Sequence, residues 1–177
     1  MMESRNIVLL DHDFPASCPE LGKFDIKTES KPEDRKVKGF DILKMKQWIT
    51  EEHIKHRISA NGVLEYLRRN DMLANCVGLA ELGGIYKKGP DFFEKNFGFG
   101  VIFAWNSIID TPNGPQVPYL VNFGDSMALW FHRLESRANE CCITLLHTKG
   151  SRIYDSLRED GTDNTVVYPD FTKKKRL

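Results

Sequence analysis

The sequence carries no excess charge of either sign, because its 25 Lys and Arg residues equal its 25 Asp and Glu residues. Attraction of the whole protein to nucleic acid or to an anionic membrane is therefore excluded, and such binding must come from a local basic cluster. No apolar run reaches the roughly 20 residues of a transmembrane segment. The apolar run at residues 7–10 is also too short for the core of a signal peptide, so we expect a cytoplasmic protein.

Cysteine is scarce, and its spacing fits no common metal site. The sequence has 4 Cys and no Cys-x-x-Cys pair, which argues against zinc held by thiolates. Cys141 and Cys142 are adjacent, and neighbours along a strand point to opposite faces, so they suit neither one disulfide nor one metal. A Gly-x-Ser-x-Gly elbow, a phosphate-binding loop and a dinucleotide fingerprint are also absent from the sequence.

The residues that are present suit one folded domain. With 177 residues, 41% hydrophobic and 28% charged, the chain can bury a single core. We predict one α+β domain over residues 1–172, in which a helical middle segment packs on an antiparallel sheet centred on a 99–123 β-hairpin. A charged segment near 30–38 is predicted to be a mobile loop, and residues 173–177 a disordered basic tail.

The β-hairpin is the best-marked element of the sequence. Two β-prone runs, 99–109 and 116–123, flank a turn at Thr111-Pro112-Asn113-Gly114-Pro115. Asn-Gly readily adopts the positive φ angles of tight turns. Apolar residues recur at every second position of the second run, which is typical of a half-buried strand.

Capping residues predict the helices that precede the hairpin. Four helices are expected to begin at Thr50, Ser59, Asn70-Asp71 and Gly89-Pro90. Gly83-Gly84 is expected to end the third of them, because glycine commonly ends helices.

Further strands are predicted at residues 7–10, 24–28, 141–147 and 165–168 from short apolar or alternating runs. The segment 126–138 has two interpretations. Asp125 can cap a helix there, whereas a strand over residues 127–134 would extend the hairpin into a meander.

Two carboxylates follow the first predicted strand in the motif Asp11-His12-Asp13. Carboxylates in this position can bind Mg²⁺ and serve as nucleophile and general acid. The motif resembles the first motif of the haloacid-dehalogenase-like phosphatases, which place Asp-x-Asp after an apolar strand. That family continues with Gly-Thr, whereas this chain continues with Phe14-Pro15. The resemblance implies a Mg²⁺-dependent phosphoryl-transfer enzyme.

Thr148 and Lys149 complete this phosphoryl-transfer hypothesis. A hydroxyl and an amine at a strand end can hold a phosphoryl group, so the hypothesis predicts that Thr148 or Lys149 shares one cleft with Asp11 and Asp13. Mg²⁺ is a cofactor only in this alternative. Glu52, His53 and His56 are spaced for one face of a helix, but the sequence nominates no further ligands, so we predict no metal site there.

Two sets of residues are candidates for binding rather than catalysis. Consecutive cations can contact phosphates, lie on an anionic membrane or act as a nuclear-import signal. Aromatic side chains that stay on the surface mark protein interfaces. The candidate cations are Lys173, Lys174, Lys175 and Arg176, and the candidate aromatic residues are Trp105 and Tyr119.

These observations favour a non-enzymatic binding or assembly protein, a class that includes small accessory and structural proteins of viruses and phages. Such a protein uses an aromatic surface to contact another protein or itself, and its basic tail to contact nucleic acid or an anionic membrane. It needs no cofactor, and its location is cytoplasmic or nuclear. The alternative is the phosphoryl-transfer enzyme.

Overall fold

A computed structural model describes residues 6–14, 25–28, 37–49, 51, 55, 58–138 and 142–154 of the chain. These residues form ten strands and three helices, which agrees with the predicted α+β class. The strands are β1 (Ile7–Leu9), β2 (Asp25–Thr28), β3 (Val37–Asp41), β4 (Met45–Trp48), β5 (Val101–Phe103), β6 (Ser107–Thr111), β7 (Gly114–Asn122), β8 (Met127–Arg133), β9 (Cys142–His147) and β10 (Arg152–Tyr154). The helices are α1 (Ala60–Arg69), α2 (Leu79–Lys88) and α3 (Pro90–Phe97), with 3₁₀ turns at Ile42–Lys44 and Leu73–Asn75.

The predicted β-hairpin is confirmed and lies at the centre of the larger sheet. Strands β6 and β7 pair antiparallel on either side of the turn, with Thr111 opposite Gly114. The Thr111 side chain stabilises this turn, since its hydroxyl donates to the Gly114 carbonyl and accepts from the Asn113 N–H. Gly114 has a φ of 95°, which a glycine adopts without strain.

The first arm of the hairpin is broken, although the sequence predicts one continuous run. Strands β5 and β6 both pair with β7, and a turn at residues 104–106 separates them. Pro118 of β7 faces this break, where its carbonyl accepts from the Ala104 N–H. A proline has no N–H to donate to the neighbouring strand, so the ladder is interrupted where Pro118 stands.

The segment 126–138 forms a strand rather than a helix. Strand β8 pairs antiparallel with β7 over all seven of its residues, from Met127 opposite Asn122 to Arg133 opposite Gln116. The meander is favoured because this pairing satisfies the backbone and places Leu129 in the core. On the far side of the hairpin, β9 pairs parallel with β5, β4 pairs with β9, and β2 pairs with β6.

Helices cover both faces of the larger sheet. Helix α1, capped by Ser59 as the sequence predicts, packs its buried residues on the face that carries Phe103 and Trp105. Helices α2 and α3 pack on the other face, which carries Ile102 and Leu120. A smaller antiparallel sheet, β1-β3-β10, lies against α2.

The prediction that Gly83-Gly84 ends a helix is wrong, because both glycines lie inside α2. The third helix also begins later than predicted, since the residues after Asp71 form a 3₁₀ turn and an extended segment before Leu79. A Cβ on Gly84 would lie 2.0 Å from the Leu9 carbonyl oxygen, and one on Gly83 would lie 2.5 Å from Phe14 Cβ. Gly84 is therefore a position of close approach between α2 and β1, and Gly83 one between α2 and the residues that follow β1.

Several predicted elements fall outside the residues that the structure describes. These are most of the helix expected after Thr50, the metal-spaced Glu52, His53 and His56, the strand at 165–168, and the tail at 173–177. Of the segment near 30–38, residues 30–36 are likewise outside the described part, whereas Val37 and Lys38 begin strand β3.

Substitution of Gly84 by Ala tests the close approach of α2 to β1. Intrinsic helix propensity alone would stabilise the variant by roughly 1 kcal/mol. We expect instead a destabilisation of about 1–3 kcal/mol, because the new methyl group meets the backbone of Leu9. Urea unfolding followed by circular dichroism measures the difference.

Gly62→Ala is the matched control for this experiment. Gly62 also lies inside a helix, but the nearest atom to its added methyl group is the Cγ1 of Ile58 at 2.9 Å, a side-chain atom rather than a backbone atom. We expect a smaller loss of stability in this variant than in Gly84→Ala. Equal stabilisation by both substitutions would show that α2 does not press on β1.

Candidate functional site

Asp11 is engaged by the protein itself. Its side chain is buried, and its Oδ2 lies 3.0 Å from the Nζ of Lys87 on α2. Its Oδ1 accepts from the Asp13 N–H at 3.2 Å, and its own N–H donates to the Ala80 carbonyl. The side chain of Asp13 is exposed. The two carboxylates are therefore close in sequence but lie in different environments.

Thr148 and Lys149 directly follow β9 of the larger sheet, next to the start of β4. The register of β1 on β3 places Ile7 opposite Asp41, and the Thr148 hydroxyl donates to the Lys44 carbonyl beyond Asp41. Asp11 follows the other end of β1. No hydrogen bond or ion pair among the described residues joins Asp11 or Asp13 to Thr148 or Lys149, and their sharing of one cleft stays a prediction.

A polar cluster that the sequence does not reveal joins the two sheets to α2. The ring of His147, at the end of β9, lies 3.4 Å from Glu81 Oε1 through its Nε2 and 3.1 Å from Ser151 Oγ through its Nδ1. The second oxygen of Glu81 accepts from the Gly78 N–H at 3.0 Å, at the start of α2. The edge of the Phe40 ring packs against the imidazole.

The Glu81–His147–Ser151 cluster is closed to a substrate and has a structural role. Ser151 has 0% of its surface exposed, so its hydroxyl is out of reach of a substrate. A carboxylate only accepts hydrogen bonds, so Nε2 of His147 carries the proton that Glu81 receives. Burial acts to raise the pKa of Glu81, but the hydrogen bond and charge of His147 and the backbone N–H groups lower the pKa below its ordinary 4.5.

The placement of Trp105 contradicts its prediction as a surface-binding residue. Only 1% of the Trp105 surface is exposed, because α1 covers this face of the sheet. Its indole Nε1–H donates to Thr144 Oγ1 at 2.9 Å, so its polar atom is also satisfied inside the protein. Trp105 therefore belongs to the core.

Tyr119 lies at the boundary between that core and the surface. Its ring stacks on Phe103 with the centroids 5.1 Å apart, and Phe103 stacks in turn on Trp105. The Tyr119 ring also makes a T-shaped contact with the Trp130 ring of β8, which lies directly opposite in the sheet. Burial raises the pKa of the Tyr119 hydroxyl.

The row of rings continues outward beyond Trp105 and Tyr119 to two further aromatic residues. Trp130 is 51% exposed and Phe123 is 54% exposed. Their ring centroids are 5.5 Å apart. We call Tyr119, Phe123 and Trp130 the aromatic patch. Alternation along β7 places Tyr119 and Phe123 on one face, but only the meander, which the sequence left undecided, brings Trp130 beside them.

His132 lines the aromatic patch on the side of α1. Its ring meets those of Phe103 and Tyr119 edge to face. Burial lowers the pKa of His132 below its ordinary 6.5. Its Nε2 is buried without a hydrogen-bond partner among the described residues. A neutral imidazole here is compatible with an apolar contact surface.

Glu81→Gln tests the polar cluster through the pH dependence of stability. Because the folded pKa of Glu81 lies below 4.5, its ionised form stabilises the native state fully above that pH. This contribution disappears as the pH falls through the folded pKa. We therefore expect thermal stability to fall less steeply below pH 4.5 in the variant than in the wild type, as measured by circular dichroism.

Glu65→Gln serves as the control, since Glu65 pairs with Arg68 on the exposed surface of α1. We expect its pH profile to follow that of the wild type. If Glu81→Gln also leaves the profile unchanged, Glu81 does not interact with His147 as the geometry indicates.

The described residues contain no helix that is long and apolar enough to cross a bilayer. In the same parts of the chain, no three His, Cys, Asp or Glu side chains are grouped so that they could hold a metal ion. Comparisons of the chain with protein families, with curated proteins and with solved structures find no match.

Proposed function

We propose that this chain is a non-enzymatic binding and assembly protein that contacts other protein chains through the aromatic patch. The observation that carries this proposal is the pair Phe123 and Trp130, each about half exposed and in mutual contact on the surface of the larger sheet. Adjacent exposed aromatic rings of this kind are typical of protein interfaces.

The rigidity of the patch supports this function. Trp130 rests against Tyr119, which stacks on Phe103 in the core. A partner therefore meets rings that are already held in place, and little conformational entropy is lost when the complex forms. Rings with only two rotatable bonds add large apolar area at low entropic cost.

The phosphoryl-transfer alternative has weaker support from the same structure. Asp11 already has Lys87 as its ion-pair partner. Thr148 bonds to the Lys44 carbonyl, at the end of the β4–β9 pair. The residues proposed for Mg²⁺ binding and for phosphoryl binding thus have separate structural partners, and the binding function accounts better for the exposed side chains.

The basic tail extends this proposal to an anionic partner. Lys173, Lys174, Lys175 and Arg176 lie outside the described residues, so their role is carried by the sequence alone. Four adjacent cations favour contact with nucleic acid or with an anionic membrane surface. In this proposal the protein acts in the cytoplasm or the nucleus. The aromatic patch binds another protein chain, and the tail binds the polyanion.

Replacement of Phe123 and Trp130 by Ser tests the aromatic patch. We expect the double variant to fold like the wild type, because both side chains are about half exposed. Association with itself or with a partner co-purified from the native host should weaken at least tenfold, as is typical when interface aromatic residues are removed. Sedimentation velocity and quantitative co-purification measure the change.

Leu43→Ser is the matched control, since Leu43 is 68% exposed but belongs to the 3₁₀ turn before β4. It should leave association unchanged. Equal association of the wild type and of the Phe123 and Trp130 double variant would contradict the proposed role of the patch.

Replacement of the four basic tail residues by Ala tests the binding of a polyanion. We expect weaker binding to single- or double-stranded nucleic acid or to anionic vesicles. The dependence of nucleic-acid binding on salt should also become shallower, by roughly 0.7–0.9 in logarithmic slope for each phosphate that the variant no longer neutralises. Fluorescence anisotropy and vesicle co-sedimentation measure both effects. Binding that is independent of salt and of these residues would contradict the proposed role of the tail.

A further inference from the structure

His132 lies at the junction between the aromatic patch and the core under α1. On β8 it stands opposite Val117, and its ring meets those of Phe103 and Tyr119 edge to face, with the centroids 5.5 and 6.3 Å away. Tyr119 in turn contacts Trp130. The imidazole is therefore part of the packing that holds the aromatic patch in place.

The short segment after β8 connects His132 to the start of α1. Backbone hydrogen bonds join the imidazole to Ser136 and Arg137. Because both bonds raise the pKa of His132, the backbone groups are carbonyls that accept from the ring. The Ser136 carbonyl also accepts from the N–H of Ala60, the first residue of α1, and Ser59 forms a β-bridge with Arg137. One side chain thus joins the strand of the patch to the start of a helix.

The two nitrogens of the His132 imidazole have different surroundings. Nε2 is buried and has no hydrogen-bond partner among the described residues, so the bonds to the backbone carbonyls come from Nδ1. A neutral imidazole with its proton on Nδ1 suits this arrangement, because Nε2 then carries no proton that requires an acceptor. A second proton on Nε2 would place a charged N–H in a buried position without an acceptor, which is unfavourable.

His132 forms no ion pair within the described parts of the chain. Helix α1 packs apolar side chains on this face of the sheet, and β5 contributes the Phe103 ring. Of the titratable groups here, Tyr119 of β7 contacts the imidazole, and the buried thiol of Cys142 on β9 interacts with Tyr119. Burial raises the pKa of Tyr119, so its hydroxyl stays uncharged at neutral pH. The charged residues next to His132 in the chain are exposed, and these are Arg133, Glu135 and Arg137.

We propose that His132 is a pH-sensitive switch for the aromatic patch, in which the neutral imidazole holds β8 to the start of α1 and the protonated imidazole leaves this position. This inference rests on the proposed binding function and names its regulation. Displacement of the ring removes its contact with Tyr119, and with it part of the support of Trp130. A partner of the patch therefore binds at neutral pH and dissociates in mild acid.

The pH at which the switch acts follows from the pKa of His132. Burial lowers this pKa below its ordinary 6.5, and the two backbone carbonyls oppose the shift only in part. The packed, neutral form therefore contributes its full stability above pH 6.5 and loses it as the pH falls from 6.5 through the folded pKa. Each pH unit within this window shifts the equilibrium toward the displaced, protonated ring by up to about tenfold.

His132→Asn tests the switch in the full-length chain. Asparagine keeps an N–H donor close to the position of Nδ1 but does not titrate. Hydrogen exchange of the Ala60 amide, which bonds to the Ser136 carbonyl, is measured by NMR from neutral pH to about pH 5. After correction for the intrinsic pH dependence of exchange, we expect the wild type to lose protection by up to about tenfold for each pH unit. Protection in the variant should stay nearly constant.

His12→Asn is the matched control, since His12 is exposed after β1, and it should keep the wild-type response. If His132→Asn does not fold at neutral pH, an NMR titration of the His132 ring in the wild type decides instead. A pKa of His132 at or above 6.5 overturns the proposal, because the neighbouring rings would then stabilise the cation. Wild-type protection of Ala60 that ignores pH overturns it as well.

The outcome also separates this proposal from the proposed function. The partner co-purified from the native host is bound at neutral pH and then exposed to mild acid. If the wild type and His132→Asn release it alike, while the Phe123 and Trp130 double variant fails to bind it at neutral pH, the switch is wrong and the binding function stands. If the double variant binds like the wild type, the proposed function fails. The exchange of the Ala60 amide still tests the switch in that case, because it requires no partner.

Discussion

The backbone hydrogen bonding of β7 on both of its edges is the constraint on which the rest of the fold depends. One edge bonds to β8 and the other to β5 and β6, so all three strands take their register from a single strand. Pro118 interrupts one edge and thereby divides the first arm of the hairpin in two. The break between β5 and β6 leaves room for the extended segment at Val77. The Val77 N–H donates to the Leu145 carbonyl, and the Val77 carbonyl accepts from the Asn106 N–H.

Helix α2 connects the larger sheet to the smaller sheet. Its Gly84 lets the helix backbone lie against β1, its Gly83 leaves space for Phe14, and its Glu81 holds His147 of β9. The same carboxylate caps the first turn of the helix through the Gly78 N–H. One acidic side chain thus fixes the start of a helix and the junction between two sheets, and its pKa is lowered because the ionised form makes both contacts.

The surface chemistry follows from the same arrangement. Helix α1 covers the part of the sheet that carries Trp105 and leaves the part that carries Trp130 open. The aromatic rings therefore form a continuous row from the core to the surface. Of the exposed pair, Trp130 lies on β8, the last strand of the meander, and Phe123 directly follows β7.

The sequence by itself determined the α+β class, the Asn-Gly turn, the start of α1 at Ser59 and the short helix between Gly89 and Gly98, because local turn and capping chemistry fixes them. Tertiary structure decided the rest. Residues 127–133 became a strand because β7 offered an open edge. Gly83 and Gly84 lie inside α2 because the packing of Phe14 and of β1 against the helix leaves no room for a side chain there. Glu81 and His147 are 66 residues apart, so only the fold could bring them together. Likewise, only α1 decides that Trp105 is buried and Trp130 is not.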